Sequence, residues 1–424
     1  MKLASEMGRR MGWKPAASVL VLSTMLGAAA CNNDFTLGFA YATSANTSSG
    51  LINAYGIDDQ TGALRLLADS PIPTEGRKPE ALVAAPNHLF LYVMNHDDST
   101  VVKVGIGTDG KLYPQETYNI TGSFPTSAAI SPDGNFLYVT YTYQACLSGT
   151  VGQNGTNPNC VAPLNGFTTA SPGPGGITIF PINSDNTLGT PKDFPIGKSP
   201  VGITVSPTNN LVYVIAQDTA ATSTVSGQTG NLFAFTQNST TGALTPVAGE
   251  TINGATGNVT STGFPSGVLP AGLLMDSTAA HLYVSDFTGN VIYTYSVAST
   301  GVPTQLASVN TDVGPEGMTI DPSGTYLYVA NYTAGTLGGY SFGTNGTLTA
   351  LSASQSTEVG TGTTCVAVEP KKGIYLYTSN SLSNNVTGEE LIPTDGSLKP
   401  IIKSPYEASA LPTCIITVPR ITFR

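Results

Sequence analysis

The chain has 424 residues, with 17 Lys and Arg against 27 Asp and Glu, for a formal charge of −10. An acidic chain with no basic stripe is poorly suited to nucleic acid, and this length exceeds one ordinary compact core, though not a closed ring of small sheets. Only 10% of residues are charged, Gly numbers 47, and Ser, Thr, Asn, Tyr and Val recur, which is an all-β composition with many turns.

The first thirty residues read as a targeting segment. Lys2, Arg9, Arg10 and Lys14 form a positive start, and an apolar stretch follows from Ala16 to Ala30. That stretch is too short and too rich in small residues for a comfortable membrane span. It ends Leu26-Gly27-Ala28-Ala29-Ala30-Cys31, which resembles a bacterial lipobox, so Cys31 is the expected lipidated first residue of the mature protein. An ordinary secretory signal that happens to contain Cys is the alternative. The expected organisation is a signal peptide over 1–30, a lipidated Cys and tether over 31–36, and one domain over 37–424. The expected location is the cell envelope, periplasmic or outer-surface, held to the membrane by the lipid alone.

From residue 37 onward the chain repeats. Tyr41, Tyr92, Tyr138, Tyr213, Tyr283, Tyr328 and Tyr377 recur, most of them inside a short apolar run such as Leu91-Tyr92-Val93 or Leu327-Tyr328-Val329. About eleven residues before each, from the second copy on, stands a small residue: Ala81, Ser127, Gly202, Gly272, Gly317 or Cys365. Strand-like units repeating in this way predict propeller blades. The first unit lacks its opening strand and begins at Phe39-Ala40-Tyr41. The missing strand is Thr413 to Pro419 at the other end. The prediction is a seven-bladed β-propeller of four-stranded antiparallel blades (strands A to D from the axis outward), with the C-terminal strand completing blade 1. Closure removes the two bare sheet edges that an open ring would expose. In the sixth unit, strand A is Glu316–Asp321, strand B Tyr326–Asn331 and strand C Gly335–Phe342. Asn345-Gly346 turns into strand D, and Thr61-Gly62, Asp109-Gly110, Thr241-Gly242, Thr300-Gly301 and Asp395-Gly396 are the equivalent hairpins elsewhere.

Beyond Cys31 four cysteines remain, and an oxidising compartment permits two disulfides. Cys146 and Cys160 share one insertion in blade 3. Cys365 and Cys414 occupy the same column on neighbouring inner strands, and their pairing would clasp the ring closure. Two buried free thiols are the alternative there. None of the spacings suits zinc.

The B–C and D–A connections share one face of such a ring, and insertions at Gln144–Pro174, Asp218–Gly230 and Gly249–Leu269 are expected there. The residue before each small one should point to this mouth: Glu80, Thr126, Val201, Ala271, Glu316, Thr364 and Thr413. Glu80 and Glu316 could serve as general base or hold a divalent cation. They lie three blades apart, so contact between them is not required. His96 follows strand B of blade 2 on the same face as a third candidate base, and Arg77, Lys78 and Lys198 could hold an anionic group. Asn95, Asp286, Asn331 and Asn380 end their strands B as turn caps. No nucleophile elbow, phosphate loop, zinc motif or EF-hand loop occurs, and no cofactor is expected.

Leu327-Tyr328-Val329-Ala330-Asn331-Tyr332-Thr333-Ala334-Gly335-Thr336, the turn Ile130-Ser131-Pro132-Asp133-Gly134 and the hairpins at Asp109-Gly110 and Asn345-Gly346 resemble the signature of the seven-bladed lactonase propellers. That group is similar to 6-phosphogluconolactonase and shades into the YVTN-repeat surface proteins. The resemblance implies sugar-lactone hydrolysis, and a monomer is expected. It departs from the enzymatic members at strand A, where Pro125-Thr126, Pro200-Val201, Pro270-Ala271 and Pro315-Glu316 stand in place of Pro-His or Pro-Arg-His. A non-catalytic propeller gripping a surface glycan or protein is therefore the second reading.

Overall fold

A computed structural model describes residues 35–45, 48–143, 174–217, 230–252, 261–352 and 356–421. Cys31, the signal segment and the Cys146–Cys160 insertion lie outside the described residues. Within them every regular element is a strand, and the strands form seven separate antiparallel sheets. Six are consecutive in the chain. The seventh joins Thr36–Ser44 to the C-terminal strand Pro412–Pro419, with Tyr41 opposite Ile416 and Ala42 opposite Ile415. Each inner strand touches the next, and the circuit closes from blade 7 back to blade 1. The predicted seven-bladed ring and its means of closure are therefore observed. In blade 6 the strand bounds are Pro315–Ile320, Tyr326–Asn331 and Thr336–Phe342, within a residue or so of the sequence reading.

Strand B is sandwiched between blades, so both its faces need apolar residues. This explains the continuous Leu-Tyr-Val run in place of an alternating one. In blade 2, Leu91 and Val93 pack on blade 1, while Tyr92 and Met94 pack on blade 3. Seven apolar clusters result, one per blade interface. All seven tyrosines are fully buried, and a buried phenol needs a partner. Each hydroxyl donates to a backbone carbonyl at the C–D hairpin of the following blade. Tyr41 reaches Gly110 at 2.8 Å, Tyr92 Asn186 at 2.8 Å and Tyr138 Gly242 at 3.1 Å. Tyr213 reaches Gly301 at 3.0 Å, Tyr283 Gly346 at 2.8 Å and Tyr328 Gly396 at 2.8 Å. Tyr377 closes the circle on Gly62 at 2.6 Å. The acceptors are the turn residues with left-handed backbone, six glycines and Asn186 at φ 62°. The tyrosine column and the hairpin column are thus two halves of one repeated contact.

Cys365 and Cys414 form a disulfide, with Cα atoms 5.0 Å apart, between the inner strand of blade 7 and the closing strand. One expectation needs correction. The Gly249–Leu269 insertion does not arise wholly at the mouth. Strand D of blade 4 is split into Leu244–Pro246 and Phe264–Pro265, both paired with strand C, and a Thr251–Thr262 bridge lies between them. The extra residues interrupt the outermost strand, where no further strand demands continuity. Only 266–269 remain as the D–A connection. Blades 1, 6 and 7 also carry a two-piece strand D.

Candidate functional site

The inner strands begin at the mouth, and each begins with the same irregularity. In strand A of blade 2 (Pro79–Ala84), Pro79 pairs with Asn95 and Ala81 with Met94, so Glu80 has no opposite residue. Thr126, Val201, Ala271, Thr364 and Thr413 are skipped in the same way, and in blade 6 both Glu316 and Gly317 are. A β-bulge re-aims its extra side chain, and here it does so in all seven blades at one level. The small residues next in line let the inner strands approach closely. A Cβ on Gly272 would lie 2.2 Å from the Glu316 carbonyl oxygen, and one on Gly317 would lie 2.7 Å from that of Thr364.

Side chains also tie this level from blade to blade. Thr413 Oγ1 donates to Pro79 O at 2.5 Å, Thr126 Oγ1 to Pro200 O at 2.9 Å, Gln217 Nε2 to Pro270 O at 3.0 Å and Ser285 Oγ to Glu316 O at 2.8 Å. The polar groups that end strand B brace the turns, as expected. Asp286 accepts from the backbone of Val268, Leu269 and Gly289, while Asn380 donates to Val359 O and to Asn385.

The two acids of the ring are coupled across it. Burial pushes the Glu316 carboxyl up to about 8, and the charge of Glu80 adds to the shift. The two acids influence each other electrostatically, which does not require contact between positions three blades apart. Glu80 Oε1 is itself ion-paired with Lys78 Nζ at 2.9 Å. The two acidic positions of the ring thus differ: burial favours the protonated form of Glu316, and Glu80 is ion-paired with Lys78.

The other candidates cluster at blades 2 and 3. Arg77 Nε and Nη2 both donate to Asp98 Oδ1, at 2.9 and 2.6 Å, and the Arg77 backbone N–H donates to Asp98 Oδ2 at 2.7 Å. Asp98 is only 5% exposed, so Arg77 holds the B–C turn of blade 2 against the start of strand A. His96 Nδ1 lies 2.7 Å from Asp97 Oδ1, and the imidazole stacks on Phe124 with centroids 4.7 Å apart. The His96 backbone N–H donates to Lys78 O at 2.9 Å. Lys78 and Phe124 both hold left-handed backbone, φ 51° and 62°. Lys198 is half-buried, two blades further round, in the bend before strand A of blade 4 (Ser199–Val205). His88 and His281 lie toward the opposite face, His281 paired with Asp276 at 2.8 Å. Among the described residues no three His, Cys, Asp or Glu side chains gather as a metal-binding group.

Sequence reasoning missed three acids away from the ring whose carboxyls are raised, Glu389 buried and Glu250 and Asp193 half-buried. Glu250 is pushed up to about 8 and Glu389 to about 7, both by burial, and Asp193 is raised by burial while accepting from Tyr141 at 2.5 Å. Glu389 sits on strand C of blade 7 (Asn385–Leu391), where flanking Thr387 and Leu391 are buried too, a position the blade pattern marks as interior.

The model of the lactonase family of seven-bladed β-propellers matches residues 39–152 and 231–368, more than half of the chain. No curated protein matches the sequence. Among solved structures, a putative 6-phosphogluconolactonase from Bacteroides fragilis superposes with a TM-score of 0.67 at 18% identity, covering 91% of this chain and 98% of its own. The periplasmic gluconolactonase of Pseudomonas aeruginosa superposes with a TM-score of 0.69 at 15% identity, covering 91% and 100%. Hydrazine synthase of Kuenenia stuttgartiensis also superposes, with a TM-score of 0.52 at 16% identity, covering 82% and 94%. Identities this low show the fold alone, and that fold carries more than one chemistry. The family match and the seven closed blades together place this chain in the seven-bladed β-propeller lactonase family.

Proposed function

We propose that the protein hydrolyses a sugar lactone in the axial mouth, with Glu80 as general base and Glu316 as general acid. The observation that supports this reading is the pair of ring carboxyls in unlike environments, Glu316 raised by burial and Glu80 ion-paired with Lys78, at a level where every blade re-aims a side chain. Two carboxyls with unlike environments divide acid and base roles. Water, deprotonated by Glu80, attacks the lactone carbonyl, and Lys78 Nζ, already at Glu80, can offset charge on the carbonyl oxygen. The ring C–O bond then breaks, and the Glu316 proton goes to the leaving alkoxide. The product is the open hydroxy acid, and the proton Glu80 took from water is passed through solvent to Glu316, which restores both groups. Family membership and the names borne by two structural neighbours support the substrate class. Export and lipid anchoring at Cys31 belong to the same proposal. Strand B of blade 1 (Thr36–Ser44) runs toward the mouth, so the tether would join the opposite face.

The test is turnover of a panel of sugar lactones by the purified chain, above spontaneous hydrolysis. Glu316→Gln and Glu80→Gln should each lower kcat by about 10²- to 10⁴-fold, the usual worth of a positioned acid or base. Unchanged turnover in both variants would refute the assignment.

A second reading has its own observation. Val268, Val313, Leu382 and Leu411 are exposed on mouth connections, with Phe287 and Tyr332 half-exposed between them. An apolar, aromatic rim suits a glycan or protein ligand held without chemistry. Ligand capture by folded protein that turns over none of the panel would favour it.

A further inference from the structure

The shorter way round the ring from Glu316 to Glu80 crosses three joints between inner strands, from blade 6 to 7, from 7 to 1 and from 1 to 2. At the first, Gly317 packs so closely that a Cβ on it would lie 2.7 Å from Thr364 O and 3.1 Å from Cys365 Cα. At the second, Cys365 is bonded to Cys414. At the third, Thr413 Oγ1 donates to Pro79 O, next to Glu80, at 2.5 Å. The disulfide is therefore the middle link of a short arc whose two ends are the ring acids. Among the described residues it is the only covalent joint between inner strands.

Cys365 and Cys414 lie within the inner strands Thr363–Val368 and Pro412–Pro419, and both are partly exposed. Strand B covers each inner strand on its outer side, and a neighbouring inner strand flanks it on either side, so this exposure is toward the axial space. Exposed disulfides are the ones open to thiol–disulfide exchange. This bond can also be opened without dismantling the ring. The closing strand keeps its pairing with Thr36–Ser44, and the Tyr377–Gly62 contact spans the same interface. Two thiols need more room than one disulfide, here on Cα atoms 5.0 Å apart. The close contact at Gly317 leaves no slack on the blade 6 side. Densely packed neighbours transmit such a displacement along the arc.

We infer that Cys365–Cys414 is a redox latch on the mouth: reduction loosens the arc between Glu316 and Glu80, and reoxidation restores it. The inference rests on the lactonase reading above and concerns the regulation of that same site. The reductant is a dithiol. One of its thiolates attacks a cysteine sulfur to form a mixed disulfide, and its second thiol resolves that intermediate. Two electrons and two protons pass to Cys365 and Cys414, and the dithiol leaves as a disulfide.

The test treats the folded, oxidised chain with dithiothreitol and measures free thiol at both cysteines by mass spectrometry, with circular dichroism reporting the fold. Both cysteines should be reduced while the β-sheet signal is retained. Loosening takes away part of the burial that raises the Glu316 carboxyl. The alkaline limb of kcat/KM for a sugar lactone should therefore move to lower pH by about half a unit, a loss of about threefold in rate above the limb. Reoxidation should reverse the change. The double variant Cys365→Ala, Cys414→Ala should show the shifted limb and ignore the reductant. Reduction only on unfolding, or a limb that stays in place, overturns the inference and leaves the lactonase reading standing. If neither redox form turns over a lactone, that reading fails, and carbodiimide labelling of the Glu316 carboxyl becomes the measurement. Labelling severalfold faster in the reduced form supports the latch, and equal labelling overturns it.

Discussion

At the scale of single residues, the tyrosine ring makes the sharpest stability claim. Tyr283→Phe removes a buried hydroxyl and leaves the Gly346 carbonyl without its donor. The expected loss is about 1–2 kcal/mol by chemical denaturation, the cost of one unmade buried hydrogen bond. Gly346→Ala should cost more, because φ there is +71° and a Cβ would lie 2.5 Å from the His281 ring. Equal stability of the parent and both variants would mean that the ring is incidental. Glu389 makes a claim about pH. It is 1% exposed, its Oε2 has no hydrogen-bond partner, and burial raises it from 4.5 to about 7. A raised carboxyl keeps its proton in the folded state. Its contribution is therefore complete below pH 4.5 and is lost as pH rises through about 7, by at most about 3 kcal/mol. Glu389→Gln, which mimics the protonated form, should match the parent near pH 4 and exceed it in melting temperature at pH 8. A variant no more stable than the parent at pH 8 would contradict the buried, protonated state.

At the scale of elements, the closing strand Pro412–Pro419 is held by sheet pairing, by the Tyr377–Gly62 contact across the same interface and by the Cys365–Cys414 disulfide. The disulfide spans a sequence separation of 49, for which chain entropy predicts about 4 kcal/mol. Replacing both cysteines with Ala should lower the denaturation midpoint and leave the fold intact, since pairing and packing remain. Collapse of the fold would mean that closure depends on the covalent bond. These elements were legible in the sequence because each recurs with fixed chemistry: a sandwiched strand announces itself as Leu-Tyr-Val, a tight hairpin as Gly at positive φ, an axial strand as a small residue. Contacts between columns and departures from them were harder to read. The bond between Tyr41 and Gly110 joins two visible columns, but nothing in either column shows that the partner is the next blade. Asn186 carries the turn of blade 3 where the others use Gly, so the seventh acceptor went unseen. The split of strand D in blade 4 left no mark, because the outermost strand has no outer neighbour to impose register.

At the scale of the whole molecule, the ring converts sequence distance into adjacency, and this made the site harder to read than the fold. Glu80 and Glu316 were visible as the two acids in a column of uncharged residues. Their coupling was not, since it depends on how narrow the closed ring is at that level. On the proposed mechanism, closure therefore bears on the chemistry as well as the stability. A wider or open ring would expose Glu316 and remove the burial that raises its carboxyl. The pH profile of kcat/KM tests this directly. In the proposed mechanism Glu316 acts in its protonated form, which burial keeps up to about pH 8. The rate should fall on the alkaline side by about tenfold per unit beyond that point, after subtraction of spontaneous hydrolysis. Glu316→Gln should be slow and should lack that alkaline limb. Glu80→Gln should move the limb to lower pH, because removing the Glu80 charge leaves burial as the only cause raising the Glu316 carboxyl. A limb that stayed in place in Glu80→Gln would show that the two carboxyls do not share one axial field, and the acid–base pair would have to be sought elsewhere in the mouth.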